Sequence, residues 1–182
     1  MKPNVFIAAI SLASVAAVSA VNAADGIINF EGELVAQTCT VAVDGVVTPA
    51  AATVTLPTVS AGLLDAAAKS AGATNFNIQL SNCTGTATTA AAFFEAGASV
   101  DPVSGYLKNT SGTATNVALR LLDSANGNVI QAGNINQVAA TTRNAIDASG
   151  NANLPYAVEY VALDAATAGT VTSSVTYSID YQ

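Results

Sequence analysis

The chain has 182 residues, 12 acidic against 5 basic, for a formal charge of −7, and it contains no histidine. An acidic chain with a few scattered cations offers no electrostatic footprint for nucleic acid or for an anionic membrane surface. The missing histidine removes Ser-His-Asp and Cys-His nucleophiles and any histidine-based metal site.

In chain order, residues 1–23 read as a secretory signal. Lys2 supplies a basic start, Val5 to Val18 is an apolar run, and Val21-Asn22-Ala23 places small residues where signal peptidase cuts. A cut after Ala20 is the alternative. A retained membrane anchor is the competing reading, but Ser11, Ser14 and Ser19 interrupt the run and no basic stop-transfer cluster follows it. Cleavage after Ala23 leaves 159 of the 182 residues, enough for one domain with a sizeable core. It removes Lys2 and no acidic residue, so the formal charge moves from −7 to −8.

The exported part opens on a period-two stripe. Ile28, Phe30, Gly32 and Leu34 alternate with Asn29, Glu31 and Glu33. The two cysteines follow, Cys39 and Cys83, and in an oxidising compartment they are expected to form one disulfide. It would close a loop of about forty residues and stabilise by a few kcal/mol. A metal or redox pair would need closer spacing and further ligands.

Thr53 to Leu56 reads as a short strand stopped by Pro57. Leu63 to Lys69 is the one stretch expected to make a helical turn or two. Phe76, Ile78 and Leu80 alternate with Asn77, Gln79 and Ser81. Val117, Leu119 and Leu121 form another stripe, followed by an Asn126-Gly127 turn and a returning Val129-Ile130. Tyr156, Val158 and Tyr160 make a further one, and Val175, Tyr177, Ile179 and Tyr181 the last. Alanine clusters at 50–52, 66–68, 90–92 and 165–166 lack a 3.6-residue stripe and read as loops or strand packing. Seven or eight short strands with turns between them predict an all-β, immunoglobulin-like β-sandwich.

The two outer stripes carry the functional expectation. If the closing stripe is strand F of such a sandwich, strand G is missing, and an open edge beside an apolar groove invites a strand from another chain. At this point the sequence resembles the type 1 fimbrial major subunits of the chaperone–usher pilin family. The signal, Phe30-Glu31-Gly32-Glu33-Leu34-Val35 before Cys39, and Phe76 to Leu80 before Cys83 carry the resemblance. Ala114-Thr115-Asn116-Val117, Leu121-Leu122-Asp123 and the closing Tyr177 to Gln182 extend it, and Gly169 lies fourteenth from the end, where these pilins carry a glycine.

The resemblance implies an incomplete sandwich lacking strand G, completed by a donor strand from a neighbouring subunit. It divides the chain into the cleaved signal at 1–23, a donor extension at 24–36 and a pilin domain at 37–182. It makes Ile28, Phe30, Gly32 and Leu34 the inward donor residues. Gly169, Val175, Tyr177, Ile179 and Tyr181 become the groove strand that faces the chaperone. The implied partners are identical or related subunits joined head to tail, a periplasmic chaperone and an outer-membrane usher, with the product a surface fimbrium. No cofactor and no stable membrane anchor are implied.

Other readings are a minor or tip subunit that binds a glycan, a self-completing secreted immunoglobulin-like domain, and an enzyme. A two-domain adhesin needs a lectin domain for which 159 residues leave no room. Asp44, Asp65, Asp101, Asp123, Asp147 and Asp164 sit in apparent turns, where aspartate bonds local backbone, and nothing pairs two of them for hydrolysis. Asn109-Thr110-Ser111 is a chance glycosylation match in a bacterial export product.

Overall fold

The structure is a computed structural model and describes Asn29 and residues 36–182. The donor residues Ile28, Phe30, Gly32 and Leu34 lie outside the described residues, as does the expected signal.

Two sheets face each other. The larger begins with β1 (Thr38–Val43) and β2 (Val46–Val47), joined by a tight Asp44-Gly45 turn in which both residues have positive φ. A glycine is at home there, and an aspartate tolerates it. β1 pairs along β3 (Ser70–Thr84), a 15-residue strand that contains the Phe76-Ile78-Leu80 stripe. Between them lies not the expected helix over 63–69 but one 3₁₀ turn, Ala61–Leu64. It starts at Ser60, whose hydroxyl accepts the Gly62 N–H, and Ser70 already belongs to β3.

The small sheet is built on β4 (Thr89–Phe94), formed from the alanine cluster at 90–92. Back in the large sheet, β5 (Leu107–Lys108) and β6 (Val117–Asp123) pair at one end of β6. At its other end, β7 (Val129–Ile130) returns through the expected Asn126-Gly127 turn. A four-residue helix α1 (Gln137–Ala140) leads to β8 (Asn144–Ala145), which pairs with the start of β4. β9 (Ala152–Ala162) fills the large sheet between β3 and β6, and β10 (Tyr177–Tyr181) pairs with β4. The large sheet therefore runs β2-β1-β3-β9-β6-β5 with β7 beside β6, and the small one runs β10-β4-β8.

Alternation dictates what fills the space between the sheets, because successive side chains on a strand point to opposite faces. Ile78, Leu80, Leu121, Leu154, Tyr156 and Val158 face inward from the large sheet, and Ala90, Ala92 and Phe94 from the small one. The alanines let the sheets approach around one aromatic stack. Phe94 meets Tyr156 edge-on with centroids 5.1 Å apart, and Phe76 lies 5.9 Å from the same ring. The buried Tyr156 oxygen accepts the Ala92 N–H at 2.8 Å. Burial pushes this phenol up to about 12, so it stays protonated at any pH the protein meets. The disulfide joins Cys39 on β1 to Cys83 on β3, as expected from the cysteine count.

Candidate functional site

One stretch of the sandwich lacks a strand. On one side of it runs the extended segment 50–57, where Ala52, Val54 and Leu56 are half-buried and alternate with exposed neighbours. The expected strand at Thr53 to Leu56 thus has the side-chain pattern of a strand without a partner. Among the described residues, 51–59 make no backbone–backbone hydrogen bond. On the other side runs 171–181, where Val171, Ser173, Val175, Tyr177 and Ile179 are half-buried and alternate with exposed residues.

Between these segments lies a groove of about 860 Å³. Its floor is Phe76, Ile78, Phe94, Leu119, Leu121 and Val158, which belong to the main core. The walls expose two rows of alternate side chains, and the floor is apolar along its length.

The wall at 171–181 is held from its far side. The Glu95 N–H donates to the Thr176 carbonyl at 2.8 Å, the Thr110 N–H to the Thr172 carbonyl at 2.9 Å, and the Ser99 hydroxyl to the Ser174 carbonyl at 2.5 Å. β10 pairs with β4 from Tyr177↔Phe94 to Tyr181↔Ala90, and with no strand on its groove side among the described residues. Its end is clamped twice. Gln182 exchanges backbone hydrogen bonds with Thr89, and Arg143 reaches over from beside β8. The Arg143 guanidinium donates to the Asp180 carboxylate at 2.6 Å, to the Asp180 carbonyl at 2.9 Å and to the Thr89 hydroxyl at 3.2 Å.

Hydrogen bonds to charged groups contribute about 1.5–3 kcal/mol when buried and less when half-exposed, as Asp180 is. Arg143→Met is therefore expected to lower the stability of the folded subunit by about 1–2 kcal/mol. Denaturant titration of the subunit carrying a bound strand measures it, and an unchanged midpoint would remove Arg143 from the clamp.

Two polar groups on the wall stand out. The Ser173 and Tyr177 hydroxyls are buried, line the groove and have no hydrogen-bond partner among the described residues. Burial pushes the Tyr177 phenol up, so it remains a proton donor in need of an acceptor. An unpaired buried hydroxyl costs free energy that a peptide group brought into the groove would recover.

Of the expected groove-strand residues, Val175, Tyr177 and Ile179 line the groove. Tyr181 packs on the core at the end of β10 without lining it. Gly169 stands apart. It is exposed on the connection before the wall, where its backbone lies so close to Thr113 and Ala114 that a side chain would collide with the Ala114 N–H. Its glycine serves close backbone approach between that connection and the segment leading to β6. The opposite wall, Ala52 to Leu56, and the floor residues Phe94 and Val158 went unassigned in the sequence. The alternation at 52–56 was the available signal for the wall. Among the described residues no cluster of three or more acidic or cysteine ligands could hold a metal ion.

Residues 28–182 match the family model described as Fimbrial protein. The F17 fimbrial protein of Escherichia coli is 38% identical over 178 residues, covering 95% of this chain and 96% of its own length. The major fimbrial subunit SMF-1 of Stenotrophomonas maltophilia (strain K279a) is 42% identical over 171 residues, covering 91% of this chain and 98% of its own. Among solved structures, the P pilus rod subunit PapA superposes with a TM-score of 0.53 at 17% identity, covering 79% of this chain and 99% of that one. That likeness shows a shared pilin fold.

Proposed function

The chain belongs to the fimbrial protein family, whose members matched above are structural subunits and not enzymes, and from that premise we propose that it builds the rod of a surface fimbrium by donor-strand exchange. The arm at 24–36, freed by cleavage after Ala23, enters the groove of a neighbouring subunit. Ile28, Phe30, Gly32 and Leu34 point into it. Before that exchange a periplasmic chaperone fills the same groove with a strand of its own, and an outer-membrane usher is where the arm replaces it.

The observation that carries this reading is the groove. It is strand-shaped, floored by core residues and walled by an edge of β10 that pairs with no strand among the described residues. The lengths agree as well. Four inward positions on the wall, from Ser173 to Ile179, span seven residues, and so do the four donors from Ile28 to Leu34. At about 3.3 Å per residue both come to roughly 20 Å. A strand laid there brings peptide groups within reach of the β10 edge and of the orphaned Ser173 and Tyr177 hydroxyls. Alternate side chains then fill the floor, the division of labour usual in strand addition. Contacts of this kind join the arm of one copy to the groove of the next. Such heterologous contacts do not close and yield filaments. A rod role fits the matched relative described as a major subunit.

The test is competition. A synthetic peptide of residues 24–36, in excess during assembly, should occupy grooves and shorten the fibres seen by electron microscopy. The same peptide with Gly32→Leu should shorten them far less, because the resemblance puts a glycine at that point of the donor track, where an added side chain is expected to clash. Equal inhibition by the two peptides would take Gly32 out of the donor track, and no inhibition by either would sink strand donation itself.

A further inference from the structure

A subunit that takes a strand at one edge must keep its other edges closed, since a second acceptor would branch or tangle the polymer. Most edges here close in an ordinary way. The large sheet ends in strands of two residues, β2 on one side and β5 and β7 on the other.

The exception is β4. Its side away from β10 pairs with β8 only at Thr89 and Ala90, which leaves the edge from Ala91 to Phe94 without a strand among the described residues. Side chains from elsewhere occupy that edge. The Ala92 N–H goes to the Tyr156 oxygen. At Phe94 the Gln137 carboxamide makes both bonds: its Oε1 accepts the Phe94 N–H at 2.8 Å, and its Nε2 donates to the Phe94 carbonyl at 3.0 Å.

Two residues directly opposed in an antiparallel ladder exchange this same pair of bonds. A primary amide holds an N–H donor beside its C=O acceptor, as the N–H and C=O of one extended residue lie on the same side of a strand, and it keeps a second N–H to spare. Gln137 is only 2% exposed, and its Nε2 also bonds the Asn134 carbonyl at 3.0 Å, which fixes the amide in its plane. The Gly133 N–H adds a bond to the Phe94 carbonyl at 2.8 Å. Helix α1, which carries Gln137, has four residues and no side-chain cap at Asn136, and this amide ties it to β4.

We propose that Gln137 is a surrogate strand residue that closes the second edge of the small sheet and so confines strand addition to β10. This rests on the donor-strand reading above and adds a specificity-determining residue to it. Subunits then join one to one, in unbranched chains.

The experiment counts strands. Full-length chain from dissociated fibres is refolded with excess 24–36 peptide, and bound peptides are counted by native mass spectrometry. Wild type is expected to bind one. A count of none for wild type would sink the groove reading, whereas the guard is judged by the difference between wild type and variant. Gln137→Met keeps the volume and removes both hydrogen bonds. It should bind two peptides, with the Phe94 amide proton exchanging freely whenever the second is absent. One peptide on a folded Gln137→Met chain whose Phe94 amide exchanges freely would overturn the proposal, because something other than Gln137 would then be keeping a strand off this edge.

Should Gln137→Met fail to fold, Gln137→Glu keeps the question answerable. Its carboxylate still accepts the Phe94 N–H but faces the Phe94 and Asn134 carbonyls, so its pKa is raised in the folded chain. At mildly acid pH the protonated acid restores the donor and closes the edge, and one peptide binds. At mildly alkaline pH the carboxylate opens the edge, and two bind. One peptide at both pH values, with wild type unchanged between them, would equally overturn the proposal.

Discussion

A chain lacking residues 24–36 is expected to build no fibre of its own, and to survive only in complex with a protein that lends it a strand. The arm is proposed to carry Ile28, Phe30 and Leu34 into a neighbour. Burying three such side chains at about 1.5–3 kcal/mol each gives roughly 5–9 kcal/mol before ordering costs. That is comparable with the whole stability of a small domain, about 5–15 kcal/mol. A truncated subunit can still accept a strand, because Phe94, Val158 and the β10 edge are untouched, but it has none to donate.

Two measurements separate the outcomes. Co-expression with the cognate chaperone should give a soluble complex and no sheared fibres built of the truncated chain. Addition of a 24–36 peptide should release a folded monomer whose slow unfolding reflects the inserted strand. A truncated chain that folds stably alone, without chaperone or peptide, would refute donor-strand exchange for this protein.

The second large effect is expected from the disulfide. Cys39 and Cys83 are separated by 44 positions, and the loop they close contains the whole 50–57 wall of the groove. Closing a loop of that length in the unfolded chain is worth about 4 kcal/mol on the chain-entropy account. The segment 51–59 makes no backbone–backbone hydrogen bond among the described residues. It depends on the anchoring of β1 and β3 at its two ends. The double variant Cys39→Ala/Cys83→Ala should therefore lose about 4 kcal/mol in denaturant titration. It should also lose affinity for the 24–36 peptide by more than a general loss of stability explains. Peptide affinity unchanged in a folded double variant would show that the wall holds its place without the crosslink.

Legibility in the sequence varied by element, for definite reasons. The stripes over Phe76–Leu80, Val117–Leu121 and Tyr156–Tyr160 all became strands, because large apolar residues at period two report a buried face directly. β4 reads only as loop or strand packing, since alanine contributes almost the same to a buried strand, a loop or a helix. β1 and β2 carry their own signal in Asp44-Gly45 flanked by valines, a hairpin pattern. Leu63 to Lys69 looked helical in composition, yet the structure needs only the turn Ala61–Leu64 before β3 begins at Ser70. Gly169 was assigned to the groove by its distance from the C-terminus, whereas its backbone packs on Thr113 and Ala114.

By itself the sequence determined the all-β class, the pairing of two lone cysteines and the inward stripe at Val175, Tyr177 and Ile179. These depend on neighbours one or two residues away, or on a count. The tertiary structure alone decided which backbone edges have partners. It set 50–57 against 171–181 across a groove, and it brought Gln137 to Phe94, 43 positions earlier in the chain. Side-chain alternation records only which face of a strand is buried. A hydrogen-bonding edge lies in the plane of the sheet, perpendicular to that face, and its occupant comes from wherever the fold happens to place it.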